Sequence, residues 1–222
     1  MAIIYSYPRV NSLNSSDLLI ATRFENEDNG SARTISFTAD AIGSYVLSTY
    51  NLNYGLASQI ANSTAIANTT VATSLIGQVD GTLAFPANGL KVGDSFNASF
   101  VGNISNNNGV TLLVTIETVD GVVLGSTGAM NLGLATSKQW LFNINFVVRA
   151  IGAAGTAKML TTGAFSHNKD SNFNPDVFTF ATENSTTFDT TVENELVVKA
   201  TWGVASASNS IYSRVFILNK VY

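Results

Sequence analysis

The stretch WLFNINFVVRA, residues 140–150, alternates side chain by side chain. Trp140, Phe142, Ile144, Phe146 and Val148 share one side, and Asn143, Asn145 and Arg149 share the other. A period of two is the signature of a β-strand with one buried face, because a helix would spread the same residues around its whole circumference. The pattern recurs along residues 81–222. SFNASFVGNI puts Phe96, Ala98, Phe100 and Ile104 on one face, and TLLVTIETV does so with Leu112, Val114 and Ile116. AKMLTTGAFS, DVFTFAT and ELVVKATWG follow, separated by turns such as NNNGV and DG. Short strands at this spacing, with no helical period among them, predict an all-β sandwich of the Greek-key or jelly-roll kind. Its two sheets would pack about 10 Å apart.

The last strand, SIYSRVFILNKVY, breaks the rule of one apolar face. Strict alternation sets Ile211, Val215, Ile217 and Val221 on one side and Tyr212, Phe216, Leu218 and Tyr222 on the other. One face serves the core. The other must be covered, because a long strand apolar on both sides invites aggregation. No helix-forming segment is available as the cover, so a second copy of the chain is expected there. Tyr212, Phe216, Leu218 and Tyr222, or else the opposite face, are the candidate self-interface.

Composition narrows the function classes. Hydrophobic residues make up 45% of the 222, but only 12% are charged, about half the usual share. Polarity comes instead from 24 Asn, 23 Ser and 24 Thr. Such a surface suits a static assembly or glycan contact. The net charge is −4 and the basic residues stand singly, so nucleic acid is not an expected partner. There is no cysteine. MAIIYSYPRV lacks the pattern of a secretory signal, and no run reaches the length of a membrane span, so neither secretion by that route nor membrane insertion is expected.

The chain divides into three parts. In residues 1–46, AIIYSY, DLLIATRF and RTISFTAD read as short strands. Asn29-Gly30 marks a hairpin turn, and TADAIGSYV reads as a short helix with Thr38 as its N-cap. Residues 47–80 are rich in Ala, Asn, Ser and Thr, and from Ala41 to Val79 there is no charged side chain. Poor helix formers and the absence of a heptad argue against a coiled coil. This segment reads as a linker or as an uncharged stalk shared by identical chains. Residues 81–222 are the sandwich.

No catalytic, cofactor or metal site is expected. The single histidine, His167, has no Cys or second His to share a zinc ion and no nucleophile context, and it reads as a loop residue. KDSNFNPD alternates oxygen ligands at Asp170, Asn172, Asn174 and Asp176, but Pro175 and Ala181 stand where a calcium loop needs Gly and Glu. A solvated turn is the expectation. No acid pair in an aromatic groove suggests sugar cleavage; Phe96, Phe100, Trp140, Phe142, Phe146 and Trp202 fall on core faces. The Asn-x-Ser/Thr triplets at Asn62, Asn68, Asn97, Asn103 and Asn184 are what this composition yields by chance. Glycan contact, if the head makes one, is expected at loops 105–109, 166–176 and 205–210.

Four stretches carry a resemblance: AFPANGLKVGDSFNASFVGNI, WLFNINFVVRAIGAAG, NSTTFDTTVENELVVKATWG and NSIYSRVFILNKVY. In order and spacing, residues 81–222 resemble the trimeric, tumour-necrosis-factor-like jelly-roll heads of tailed-bacteriophage virion proteins. MAIIYSYPRV…DLLIATR…TISFTADAIGSYV looks like the attachment module that opens phage fibre proteins, with Ile3, Ile4, Tyr5 and Tyr7 as candidate attachment residues. The resemblance implies a homotrimeric structural fibre on the particle surface, with the terminal strand near the threefold axis. Its partners would be itself, capsid or tail proteins through the N-terminus, and a host surface glycan. It implies no enzymatic activity. A head fibre on the capsid is preferred to a tail fibre or a carbohydrate-binding module, because the chain is short for a tail fibre.

Overall fold

The computed structural model describes residues 16–24, 32–42, 54–171 and 174–222. The chain forms two units, Met1–Leu52 and Asn53–Tyr222. In the first, β1 (Leu18–Phe24) and β2 (Ala32–Thr38) pair antiparallel, with Leu18 opposite Thr38 and Phe24 opposite Ala32. A single helical turn follows at residues 39–42, where the Ala41 amide donates to Thr38 Oγ1 at 3.2 Å. Thr38 is thus the cap expected of it. Leu18 and Ile20, 68% and 78% exposed, present an apolar edge to solvent. Ile3, Ile4, Tyr5 and Tyr7 lie outside the described residues.

The second unit is a sandwich of antiparallel sheets. Its strands are β3 (Tyr54–Gln59), β4 (Ile66–Ala67), β5 (Thr73–Ser74), β6 (Val79–Gly81), β7 (Ala84–Phe85), β8 (Ser95–Asn106), β9 (Val110–Thr118), β10 (Val123–Leu132), β11 (Ala135–Ala150), β12 (Lys158–His167), β13 (Asp176–Asn184), β14 (Asn194–Trp202) and β15 (Ser210–Lys220). One sheet runs β10-β9-β14-β5, with β7 also on β14. The other runs β13-β12-β11-β8-β15-β3-β6, with β4 also on β15.

The inward faces are those the alternation predicted. Phe96, Ala98, Phe100 and Ile104 of β8, Leu112, Val114 and Ile116 of β9, and Trp140, Phe142, Ile144, Phe146 and Val148 of β11 are all buried. An aromatic cluster crosses the larger sheet: Phe100 lies 4.6 Å from Phe216 and 6.2 Å from Phe142, and Trp140 stacks on Phe165 at 5.5 Å. Burying each such side chain stabilises by about 1.5–3 kcal/mol.

The expected stalk at 47–80 is corrected by the structure from Tyr54 onward. β3 pairs with the terminal strand and β6 with β3, while β4 joins β15 and β5 joins β14. Among the apolar residues scattered through this segment, Ala57, Ile66 and Leu75 are buried in the sandwich core, while Ile60 and Val71 stay exposed. Some of its polar side chains bond the backbone locally. The Ile76 amide donates to Ser74 Oγ at 3.0 Å, and the Val71 amide to Thr69 Oγ1 at 3.0 Å. Such bonds satisfy a chain that turns too often to build a long ladder.

Candidate functional site

The terminal strand does not alternate strictly. Along β15 the partners on β8 run Ile211–Ile104, Tyr212–Asn103 and Ser213–Gly102, then skip to Val215–Val101. Arg214 is the extra residue of a β-bulge. One inserted residue reverses which side chains face the core. Ile211 and Ser213 are buried before the bulge, and Phe216 and Leu218 after it. Tyr212, Val215 and Ile217 therefore share the outward face.

This corrects the candidate interface. Phe216 (0% exposed) and Leu218 (1%) fill the core of their own chain, which removes them from any contact with a neighbour. Tyr212 is half-buried on the outward side. Val215 and Ile217 are exposed on the strand, and Val221 and Tyr222 beyond its end.

The bulge is held from behind by the charge-free segment. Ser63 Oγ accepts from the Ser213 amide at 2.9 Å, and the Ser63 amide donates to the Ser213 carbonyl at 3.0 Å. Gln59 Nε2 donates to that same carbonyl at 3.2 Å, while Gln59 Oε1 accepts from the Gly77 amide at 3.0 Å. The Ser213 hydroxyl reaches the Leu75 carbonyl. A buried polar cluster with its partners satisfied is rigid, so the reversal of faces is built into the fold.

Beyond the bulge, the outward face of the larger sheet carries three successive rungs without a charged residue. They are Val177–Ser166–Leu141–Val101–Val215, Thr179–Ala164–Asn143–Ser99–Ile217–Ser58, and Ala181–Thr162–Asn145–Asn97–Asn219–Gly55. Amides and hydroxyls tie neighbouring strands together within the rungs. Asn97 Nδ2 donates to Asn145 Oδ1 at 3.0 Å, and Ser99 Oγ donates to Asn143 Oδ1 at 2.9 Å. Charge returns at the margins, where Arg149 pairs with Glu183 at 2.8 Å.

The 133–134 turn joins two of the three loops expected to carry recognition, 105–109 and 166–176: Asn106 Nδ2 donates to the Gly133 carbonyl at 2.9 Å, and the Asp170 amide to the Leu134 carbonyl at 2.9 Å. The third, 205–210, reaches the first where Ser210 pairs with Ser105. In the 166–176 loop the two carboxylates are taken by protein donors. Asp170 accepts from the Thr136 hydroxyl at 2.6 Å and the Thr136 amide at 3.1 Å, which holds its carboxyl below the usual range. Asp176 accepts from Lys169 Nζ at 2.7 Å and the Gly133 amide at 3.0 Å. Burial pushes its carboxyl up, but Lys169 and the amide outweigh that and leave it lowered. Asn172 lies outside the described residues.

His167 is not a loop residue. It ends β12 and is fully buried. Its Nδ1 sits 3.1 Å from the Asn168 carbonyl, and Nε2 lies 3.3 Å from Asp176 Oδ2 without the geometry of a hydrogen bond. Burial pulls its pKa below the ordinary value, partly offset by these neighbours.

Sequence reasoning missed Gln59, Ser63 and Arg214. A Ser-Arg pair inside a hydrophobic strand was the available signal, because a long cation between Tyr212 and Val215 has no place on either alternating face. No protein-family model matches the chain, and a comparison with curated proteins finds no match.

Proposed function

We propose that this chain is a structural virion protein of a tailed bacteriophage: a homotrimeric fibre, attached to the capsid through its N-terminal unit, whose TNF-like jelly-roll head contacts the host surface. The observation that carries the reading is the outward face of the larger sheet. The Ile217 and Asn219 rungs, without charge and followed by exposed Val221 and Tyr222, suit a surface covered by other copies of the chain. The seam would run over the Ile217 and Asn219 rungs and the chain end. The order β3-β15-β8-β11 facing β7-β14-β9-β10 supports the jelly-roll reading. The chain changes sheet between β8 and β9, β10 and β11, β13 and β14, and β14 and β15, as a double Greek key requires. The β12–β13 hairpin would then be an addition at one sheet edge. The exposed Leu18 and Ile20 in the first unit support its role in docking to the particle.

The deciding measurement is the solution mass of the full chain by light scattering, alone and with Ile217→Lys. A trimer that Ile217→Lys turns into a folded monomer supports the fibre. A wild-type monomer removes it and leaves a monomeric carbohydrate-binding module as the reading to pursue.

A further inference from the structure

Above the seam, the same face opens into a depression of ≈ 510 Å³. Two bulges create it. β15 bulges away from β8 between Ser213 and Val215, and β11 bulges on the other side between Ala135 and Lys138. Ser137, in the second bulge, is held at φ 52°, a left-handed conformation that strains a residue with a side chain. Its amide donates to Ser105 Oγ at 2.9 Å. Strands that bulge on both sides of a straight one re-aim side chains, and bulges concentrate at binding sites.

The floor is stiff. Trp140 Nε1 donates to the Asn103 and Tyr212 carbonyls, each at 3.2 Å, from the core side. Gly102 is required there, because a Cβ would stand 2.6 Å from Trp140 Nε1. Val101 and Val215 present a small apolar surface, and Asn62, Asn103, Gln139 and Ser137 ring it with amides and a hydroxyl. Arg214 completes the ring. Its guanidinium is exposed and has no carboxylate or hydrogen-bond partner among the described residues, unlike Arg149 on the same face.

We propose that this depression binds an acidic saccharide, a uronic-acid unit of a surface polysaccharide. The sugar carboxylate would pair with Arg214, in the fork geometry that guanidinium offers carboxylates. The carboxamides of Asn62, Asn103 and Gln139 would read ring hydroxyls, and Val101 and Val215 would take the apolar face of the ring. A neutral sugar would leave the one unpaired cation of the depression unused. The inference extends the host-contact part of the proposed function and rests on it only for the source of the sugar.

The test is titration calorimetry of the full chain with trigalacturonate, and with its methyl ester, which keeps the hydroxyls and removes the charge. Saturable binding of the acid, with the ester at least about tenfold weaker, is expected from loss of a charge-assisted pair. Arg214→Gln should weaken the acid by a similar factor, and Asn103→Ala by less. Lys158→Gln, which removes an equal charge at the opposite end of the sandwich, should change nothing. Absence of binding at millimolar sugar, equal binding of acid and ester, or an unchanged Arg214→Gln overturns the proposal. Light scattering on the same samples separates the outcomes: a monomer that binds the acid removes the trimer and keeps the site, and a trimer that does not bind keeps the fibre and removes the site.

Discussion

The two sheets bury similar faces and expose dissimilar ones. Outward on the smaller sheet, Glu117 pairs with Lys199 across β9 and β14, and Glu195 stands further along β14. Outward on the larger sheet, the three rungs from Val215 to Asn219 hold only amides, hydroxyls and aliphatic groups. A solvated antiparallel sheet usually alternates apolar-in with polar-out, and charge on the outer face discourages wrong pairing. The smaller sheet follows that habit. The larger one does not, which on the proposed fibre reading makes its Ile217 and Asn219 rungs the covered part.

The sharpest way to break the comparison is to place a charge on each of two adjacent residues of β15. Phe216→Asp buries a carboxylate in the aromatic cluster and should cost about 4 kcal/mol or more; loss of the cooperative thermal transition, followed by circular dichroism, is the expected result. Ile217→Lys, one residue on, should leave the fold intact and lower the solution mass. A retained transition in Phe216→Asp would mean that the inward and outward faces are exchanged. Charging the smaller sheet supplies the control: Val197→Lys, beside Glu117, should leave the mass unchanged on a sizing column with light scattering.

A smaller effect is expected from the cluster that makes the bulge. Gln59→Leu strips the Gly77 amide of its acceptor and the Ser213 carbonyl of one donor, which should cost about 1–3 kcal/mol. Denaturant midpoints would measure it, and hydrogen exchange at Ser213 and Val215 should speed up. The outward ion pair of the smaller sheet matters less. Lys199→Met, which leaves Glu117 partly solvated, should shift stability by within about 1 kcal/mol.

The smallest effect concerns pH. His167 has a folded pKa below its ordinary value of 6.5, so the unfolded chain binds its proton first. Its contribution to stability is therefore present above that value and is lost as pH falls below it. Melting temperature should decline between neutral and mildly acidic pH, and His167→Gln should flatten that slope. Asp170 and Asp176 have lowered pKa values, so their stabilisation disappears at a lower pH, as the medium passes below the ordinary carboxylate range. Melting curves across both windows would separate the histidine from the carboxylates.

Much of the sandwich was legible. Phe96 to Ile104, Leu112 to Ile116 and Trp140 to Val148 alternate cleanly, and each set is buried on the side its period demands. The candidate self-interface was half legible. Two apolar faces on the terminal strand were evident, but Phe216 and Leu218 were assigned outward as alternatives although they fill the core. Residues 54–80 were the least legible, because two- and three-residue strands leave no period to detect.

By itself, then, the sequence determined the all-β class, the inward faces of the long strands and the poverty of surface charge, since these depend on a side-chain period of two and on composition. Only the tertiary structure decided that the charge-free segment belongs to the sandwich and that Arg214 is thrown outward. Both depend on partners far away in the chain: Ser213 is held by Gln59 and Ser63, about 150 residues earlier. A single bulged residue reverses every face beyond it without altering local composition. The register is therefore chosen by which buried hydrogen bonds close across the sheet.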